Sequence, residues 1–368
     1  MSNATDDRWL HATPTQSVAS STDTTGATGV LTADQIRSWR QHGYAFVHGI
    51  FETASITALR TEAKQLFPAP GTPRAAEIAD FGSAGQLKFP SPVPGFNALT
   101  LHPRLLACVS ELLGVAIAEL RLTQSDLWPK YGRSPENNTA STAAARSPAR
   151  ARDNDDQRIH VDYPNHTLAH PSPWHRPEAV ELIVYLDRVE DCGGATAVVP
   201  RNGPDDPAYR WPIVDTPGVG ELDYVNDRSH AEAYFAEQRP HLADWRATLY
   251  ARERRAHFKP GDVLLYRHDT WHRGTPLLPG RMRLAHNITF RTAAAEWIST
   301  LHTGWAWSAY RKDKLLERLI AAASLDQRAV LGFPQPESSY WCAETVAAVE
   351  ARYGMFGMDM TPYRTALP

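Results

Sequence analysis

The sequence predicts a mainly β protein with flanking helices: one β-sandwich or jelly-roll core carrying helical additions at both ends. Three observations lead there. Between about residues 117 and 292, short apolar runs recur, separated by Gly-, Pro- and Asp-rich turn signals. On either side, apolar residues fall instead at helical spacing. The composition, 42% hydrophobic with 11 Trp, 13 Tyr and 11 Phe, is ample for a sizeable core. Layers of strands jacketed by helices are the packing solution such a pattern allows.

Residues 1–29 are rich in Ser, Thr, Ala and Asp and lack apolar rhythm, so they read as a disordered tail. Thr32 and Gln35 then form a capping box, with Leu31 and Ile36 as its hydrophobic staple. The helix they open runs to about Gln41 and stops near Gly43, and Tyr44–Val47 follows as a strand. Thr53 is placed to cap a second helix whose Ile56, Leu59, Ala63 and Leu66 share one face before Pro68. A third helix starts at Pro103, presents Leu105, Leu106, Val109, Leu112 and Leu113, and ends at Gly114.

The strand series begins with the alternating Leu120–Trp128. Residues 133–157 form a long Ser/Ala/Asn/Arg/Asp-rich insertion, read as flexible: a flap at a site rim or an inert surface loop. Arg158–Tyr163 reads as a strand, as do Val180–Leu186 and Ala195–Val199, the last two flanking an Asp191–Gly194 turn. Residues 203–225 are loop and 229–250 helical. Ala256–Lys259 and Val263–Tyr266, joined by Pro260-Gly261-Asp262, read as a hairpin, and Leu284–Phe290 closes the series. Helical spacing returns at Leu315, Leu316, Leu319 and Ile320, and again at Val346, Val349 and Tyr353 before Gly354. Trp297, Trp305, Trp307 and Tyr310 between strands and helices read as packing aromatics. No repeat or linker divides the chain. Residues 30–368 are therefore expected to form one domain, with its core at about 117–292 and a helical extension at 293–368.

A net charge of −3 without a basic tract argues against nucleic acid or an anionic membrane as partner. No apolar run of membrane-spanning length and no signal-peptide pattern is present. Cys108, Cys192 and Cys342 are scattered and odd in number, which fits a reducing cytoplasm rather than a disulfide framework. The residues do not speak to oligomeric state.

The chemistry starts at His160-Val161-Asp162, where strand spacing would put an imidazole and a carboxylate on one face. Alone, such a pair is no more than chance provides among 15 histidines. His230-Ala231-Glu232 has the same spacing, but a helix would turn its two ligand types apart. A third ligand is offered by His272, after the Gly261-Asp262 turn; His268 is a rival four residues short of that spacing. Arg283 opens the next apolar strand, where a buried guanidinium needs an anion and pairs best with a carboxylate; Arg281 is its rival. Two histidines, one carboxylate and a nearby arginine describe a metal facial triad with an acid-binding anchor. His166, His170 and His175 crowd the loop beyond Asp162 and read as surface or turn residues, with substrate contact as the other reading. Arg158 and Arg273 either attract an anion or pair with nearby acids, and Cys192 lacks a base to make it a nucleophile.

These residues resemble the phytanoyl-CoA dioxygenase family of Fe(II)/2-oxoglutarate oxygenases over roughly residues 31–292. The resemblance rests on Leu31-Thr32-Ala33-Asp34-Gln35, Leu101–Leu106 with Leu112-Leu113-Gly114, Gln124, and His160-x-Asp162. It continues through Tyr185-Leu186-Asp187, Gly193-Gly194, Val198-Val199-Pro200, Pro260-Gly261-Asp262, His272 and Arg283. It implies a double-stranded β-helix, that is, a jelly-roll or cupin-like core. It further implies His160, Asp162 and His272 as iron ligands, Arg283 on the distal carboxylate of 2-oxoglutarate, and Gln124 and Thr275 as hydrogen-bonding partners of that cosubstrate. The activity implied is O2-dependent oxidation of a small-molecule substrate with release of succinate and CO2. In related halogenases a small residue replaces the carboxylate ligand, so Asp162 favours hydroxylation. The insertion at 133–157 and the extended 163–178 and 203–255 segments frame the substrate entrance, so the family's substrate does not transfer. A zinc hydrolase using the same ligands and a non-catalytic jelly-roll binding protein are the rival readings.

Overall fold

The computed structural model describes residues 8–16, 29–78, 87–132, 156–209, 216–295 and 312–365. The expectations for 133–155 and for Trp297, Trp305, Trp307 and Tyr310 lie outside these residues. Eleven strands are described: β1 Trp9–His11, β2 Thr13–Pro14, β3 Tyr44–His48, β4 Leu87–Lys88, β5 Leu120–Tyr131 and β6 Ala179–Tyr185. They continue with β7 Thr196–Val198, β8 Arg254–His257, β9 Val263–Tyr266, β10 His272–Gly274 and β11 Met282–Thr292. A four-stranded sheet runs β1-β8-β7-β10, and a seven-stranded one runs β2-β3-β9-β6-β11-β5-β4. Most pairings are antiparallel; β1–β8 and β2–β3 are parallel. Helices hold more of the described residues than strands do, so the fold is mixed α/β rather than mainly β. No helix among the described residues is long and apolar enough to cross a membrane.

Strand alternation sorts the larger sheet into two faces. Val47, Leu127, Val180, Leu182, Val184, Val263, Leu265, Leu284 and Ile288 form one core with the helices Ala33–His42, Thr53–Leu66, Pro94–Thr100 and Pro103–Leu113. The opposite face carries Phe46, Ile183, Tyr185, Leu264, Tyr266 and Ala285, which pack against Val198, Ala256 and Phe258 of the smaller sheet's side. A third core belongs to the C-terminal helices Leu315–Ala322, Leu325–Val330 and Ala343–Tyr353, and it takes in Leu168 and Ala169.

The capping box of Thr32 and Gln35 is present, and Gly43 ends that helix in the left-handed region at φ 84°. Gly114 closes Pro103–Leu113 in the same way. Thr53 does not cap its helix; Glu52 occupies the cap position without a side-chain bond. The 229–250 stretch is two helices, Arg228–Gln238 and Pro240–Arg252, because Pro240 starts a new one.

Three further expectations are corrected. The 1–29 tail is ordered at 9–14, where β1 and β2 lengthen the two sheets and Leu10 is buried between them. Strands this short carry no periodicity to read. The Ala256–Tyr266 hairpin does not form. Gly261 (φ 87°) and the bond from Lys259 N to Asp262 do turn the chain, but β8 joins the smaller sheet and β9 the larger. The turn is a corner between sheets, with Phe258 stacked on Tyr185 at 4.1 Å. Arg158–Tyr163 is no continuous strand; it makes isolated bridges at Gln157 and His160, and Asp162 turns into a short helix, Tyr163–His166.

Candidate metal centre

The bridge at His160 places the site. His160 N donates to His272 O and His272 N to His160 O, each at 2.9 Å, so two segments far apart in sequence hold their histidines side by side. The imidazole centroids lie 4.4 Å apart. His160 Nδ1 lies 2.9 Å from Arg158 O, and His272 Nδ1 lies 2.9 Å from Thr270 O. A carbonyl can only accept, so both rings carry their proton on Nδ1 and turn an Nε2 lone pair to the other side. That side is Asp162. His272 Nε2 is 3.2 Å and His160 Nε2 3.7 Å from its carboxylate, and one ligand atom from each residue lies within 4.8 Å of the others. Asp162 arrives there because its backbone turns into the α region (φ −96°, ψ −13°) while its N–H bonds His268 O at 3.1 Å. The sequence placed these two side chains on one face by strand pleat; the structure does so by this turn.

The electrostatics suit a cation. Burial, reinforced by the neighbouring His272, holds His160 down to about 3, so its ring is neutral and its lone pair free. Burial pushes the Asp162 carboxyl up, but His272 and His160 outweigh it and hold it below the usual carboxylate range. Two imidazoles and one carboxylate in a half-buried cluster are the donor set of a divalent transition-metal site with open positions.

The other expected residues lie on strands and on turns next to them in sequence. Arg283 is buried on β11, whereas Arg281 is exposed in the turn before it. Nη1 of Arg283 donates to Gly194 O, but its Nε has no partner, and neither has Oδ1 of Asn287 on the same face of the strand. Buried polar atoms without partners are expensive. Thr275 directly follows β10 and donates its hydroxyl to Ala195 O at 2.8 Å. Gln124 lies in register with Thr289 and bonds Asp126 at 3.0 Å.

The His268 carbonyl takes the N–H groups of Asp162 and Tyr163, and its ring is not in the ligand cluster. His230 lies on the helix Arg228–Gln238, held by its cap Asp227. Arg273 is bound by Glu253 at 2.6 and 2.8 Å and by Asp156, and Arg158 donates to the carbonyls of Val225 and Pro217. Both arginines therefore hold structure. Burial pushes the thiols of Cys108 and Cys192 up to about 12. In the native protein at neutral pH, neither should react with an aromatic disulfide reagent, while all three cysteines should react after denaturation; rapid labelling of Cys192 in the native state would contradict this placement.

Two residues beside the metal triad were not singled out as such by sequence. Glu181 projects from β6 in the row Gln124–Thr289–Glu181–Tyr266. Its carboxyl is raised well above the usual range, by burial first and then by Asp162 against it. His166 Nε2 is 3.4 Å from Glu181 Oε1. The signal for Glu181 is an acid within an otherwise apolar strand.

A two-sheet fold carrying a His-Asp-His triad has the donor set of a non-haem metal centre. The sequence model for phytanoyl-CoA dioxygenase (PhyH) matches residues 39–285, and the chain belongs to that family. Iron and 2-oxoglutarate are the family's cofactors, and the triad's donor set fits the metal. Among solved structures, the chain is similar to EvdO2 from Micromonospora carbonacea var. aurantiaca, at 17% identity and TM-score 0.47, over 72% of this chain and 92% of that one. It is similar to the epimerase SnoN in complex with Fe3+, alpha ketoglutarate and nogalamycin RO, at 19% identity and TM-score 0.44, over 73% and 87%. EctD from S. alaskensis matches at 17% identity and TM-score 0.45, over 73% and 79%. Likeness at this level says nothing of reaction or substrate. No curated protein matches the chain.

Proposed function

We propose that the chain is an Fe(II)- and 2-oxoglutarate-dependent hydroxylase that oxidises an unactivated C–H bond of a small molecule and releases succinate and CO2. The observation that carries this reading is the triad itself, with both histidines fixed by Nδ1 bonds so that Nε2 faces Asp162. His160, Asp162 and His272 would hold the iron. Arg283 would take the distal carboxylate of 2-oxoglutarate, and that carboxylate would satisfy the Nε left without a partner. Gln124 and Thr275 complete the cosubstrate wall in this reading, each releasing a bond it makes within the protein. We read the two facing sheets as the double-stranded β-helix core of one domain spanning 30–368, joined by the short strands at 9–14, with the C-terminal helices as its extension.

Bound iron supplies activation of dioxygen, coupling the decarboxylation of 2-oxoglutarate to oxidation of the substrate. The protein orients the ligands, keeps His160 neutral and walls the site with buried side chains. Asp162 fills the third ligand position, which leaves hydroxylation rather than halogen transfer as the outcome. The test is a small-molecule screen for stimulated succinate release, followed by mass analysis under 18O2. The product should carry one labelled oxygen; a desaturated, cyclised or epimerised product without label would contradict the hydroxylase reading.

A further inference from the structure

The family match ends at residue 285, yet the chain continues into four described helices, Thr361–Thr365 the last, with their own core. That core does not stand apart from the metal centre. Leu168 and Ala169, a few residues beyond Asp162, are fully buried in it. Four successive carbonyls of that segment accept hydrogen bonds from C-terminal side chains. Arg352 donates to Thr167 O at 3.0 Å and Ala169 O at 3.3 Å, Tyr353 donates to Leu168 O, and Tyr340 donates to His170 O at 2.7 Å. At its other end the segment is tied by the N–H groups of Asp162 and Tyr163 to His268 O.

Between these two anchors sits His166, 3.4 Å from Glu181, whose carboxyl lies against Asp162. Glu181 is buried, and its Oε1, the atom facing His166, has no full hydrogen bond. A second carboxyl against a metal-binding carboxylate controls the orientation and basicity of that ligand. Its own orientation therefore matters: Asp162 and Thr289 hydrogen-bond this carboxyl, and His166 Nε2, 3.4 Å from Oε1, closes its remaining side.

We propose that Arg352, Tyr353 and Tyr340 are positioning residues of the metal centre: by holding carbonyls 167–170 they set His166 against Glu181 and thereby fix Asp162. This inference rests on Asp162 being a metal ligand. The C-terminal extension is then a working wall of the site and not an appended packing unit.

The test compares Tyr340→Phe, Tyr353→Phe and their double variant, which remove only hydroxyls, with Ile320→Ala. Ile320 is buried in the same core and bonds none of the four carbonyls through its side chain. Two readouts are taken: Fe(II) affinity by competition with a chelator, and amide hydrogen exchange over residues 163–172. The double variant should speed exchange over that segment and raise the Fe(II) dissociation constant about tenfold, the lower end of the loss caused by removing an outer-shell partner. Ile320→Ala should lower the thermal midpoint and leave Fe(II) affinity unchanged. The inference is overturned if Ile320→Ala weakens Fe(II) as much as the double variant does at matched stability. It is equally overturned if the double variant loosens the segment without moving Fe(II) affinity. Should the native protein itself bind no Fe(II), the metal reading fails, while exchange at 163–172 still reports whether these tyrosines hold the segment.

Discussion

His160→Ala and Asp162→Ala should each abolish succinate release and strip the protein of iron. The three ligand atoms lie within 4.8 Å of one another, so each residue would supply one of three protein ligands to the metal. Loss of an outer-shell partner alone typically weakens a site by roughly 10–100-fold, and loss of a ligand should exceed that. The folds of the variants should survive, because His160 and His272 are joined through backbone atoms that the substitutions keep. Iron content after desalting and succinate release together check this. Retention of both by either variant would remove that residue from the centre. His268→Ala serves as comparison: its carbonyl is used, its ring is not a ligand, and iron binding should persist.

Arg283→Ala should sharply raise the concentration of 2-oxoglutarate needed for turnover. Removing one partner of a buried charge pair costs about 3–5 kcal/mol, roughly a hundred- to several-thousandfold in dissociation constant. Arg281→Ala, altering an exposed side chain, should leave the cosubstrate requirement where it was. Arg283→Lys should recover little, since a lysine cannot offer a fork of two parallel donors. The dependence of succinate release on 2-oxoglutarate measures all three. An unchanged requirement in Arg283→Ala would shift the anchor to another cation.

What the sequence made legible follows physical range. Local signals held: the Thr32/Gln35 capping box, the glycine ends at Gly43 and Gly114, and the long apolar strands β6 and β11. Pairing partners were not legible, because they depend on contacts far apart in the chain. The Pro260-Gly261-Asp262 turn looks the same whether its strands pair together or part to different sheets. Strands β1 and β2 owe their order to sheet edges that the tail's own residues do not announce. The site shows the same division. His160, Asp162 and His272, which the structure brings together, were legible from type and spacing. Glu181 and His166 meet only through the third dimension, and nothing local ties Tyr340 or Arg352 to the segment beyond Asp162.

The most direct test is an anaerobic titration of the Fe(II)-loaded protein with 2-oxoglutarate, followed by visible absorption. A saturable band that appears with 2-oxoglutarate, is absent with Zn(II), and is lost in His160→Ala is the expected result. A protein that takes up Zn(II) but forms no such band with Fe(II) and 2-oxoglutarate would contradict the oxygenase account and leave the triad to other chemistry.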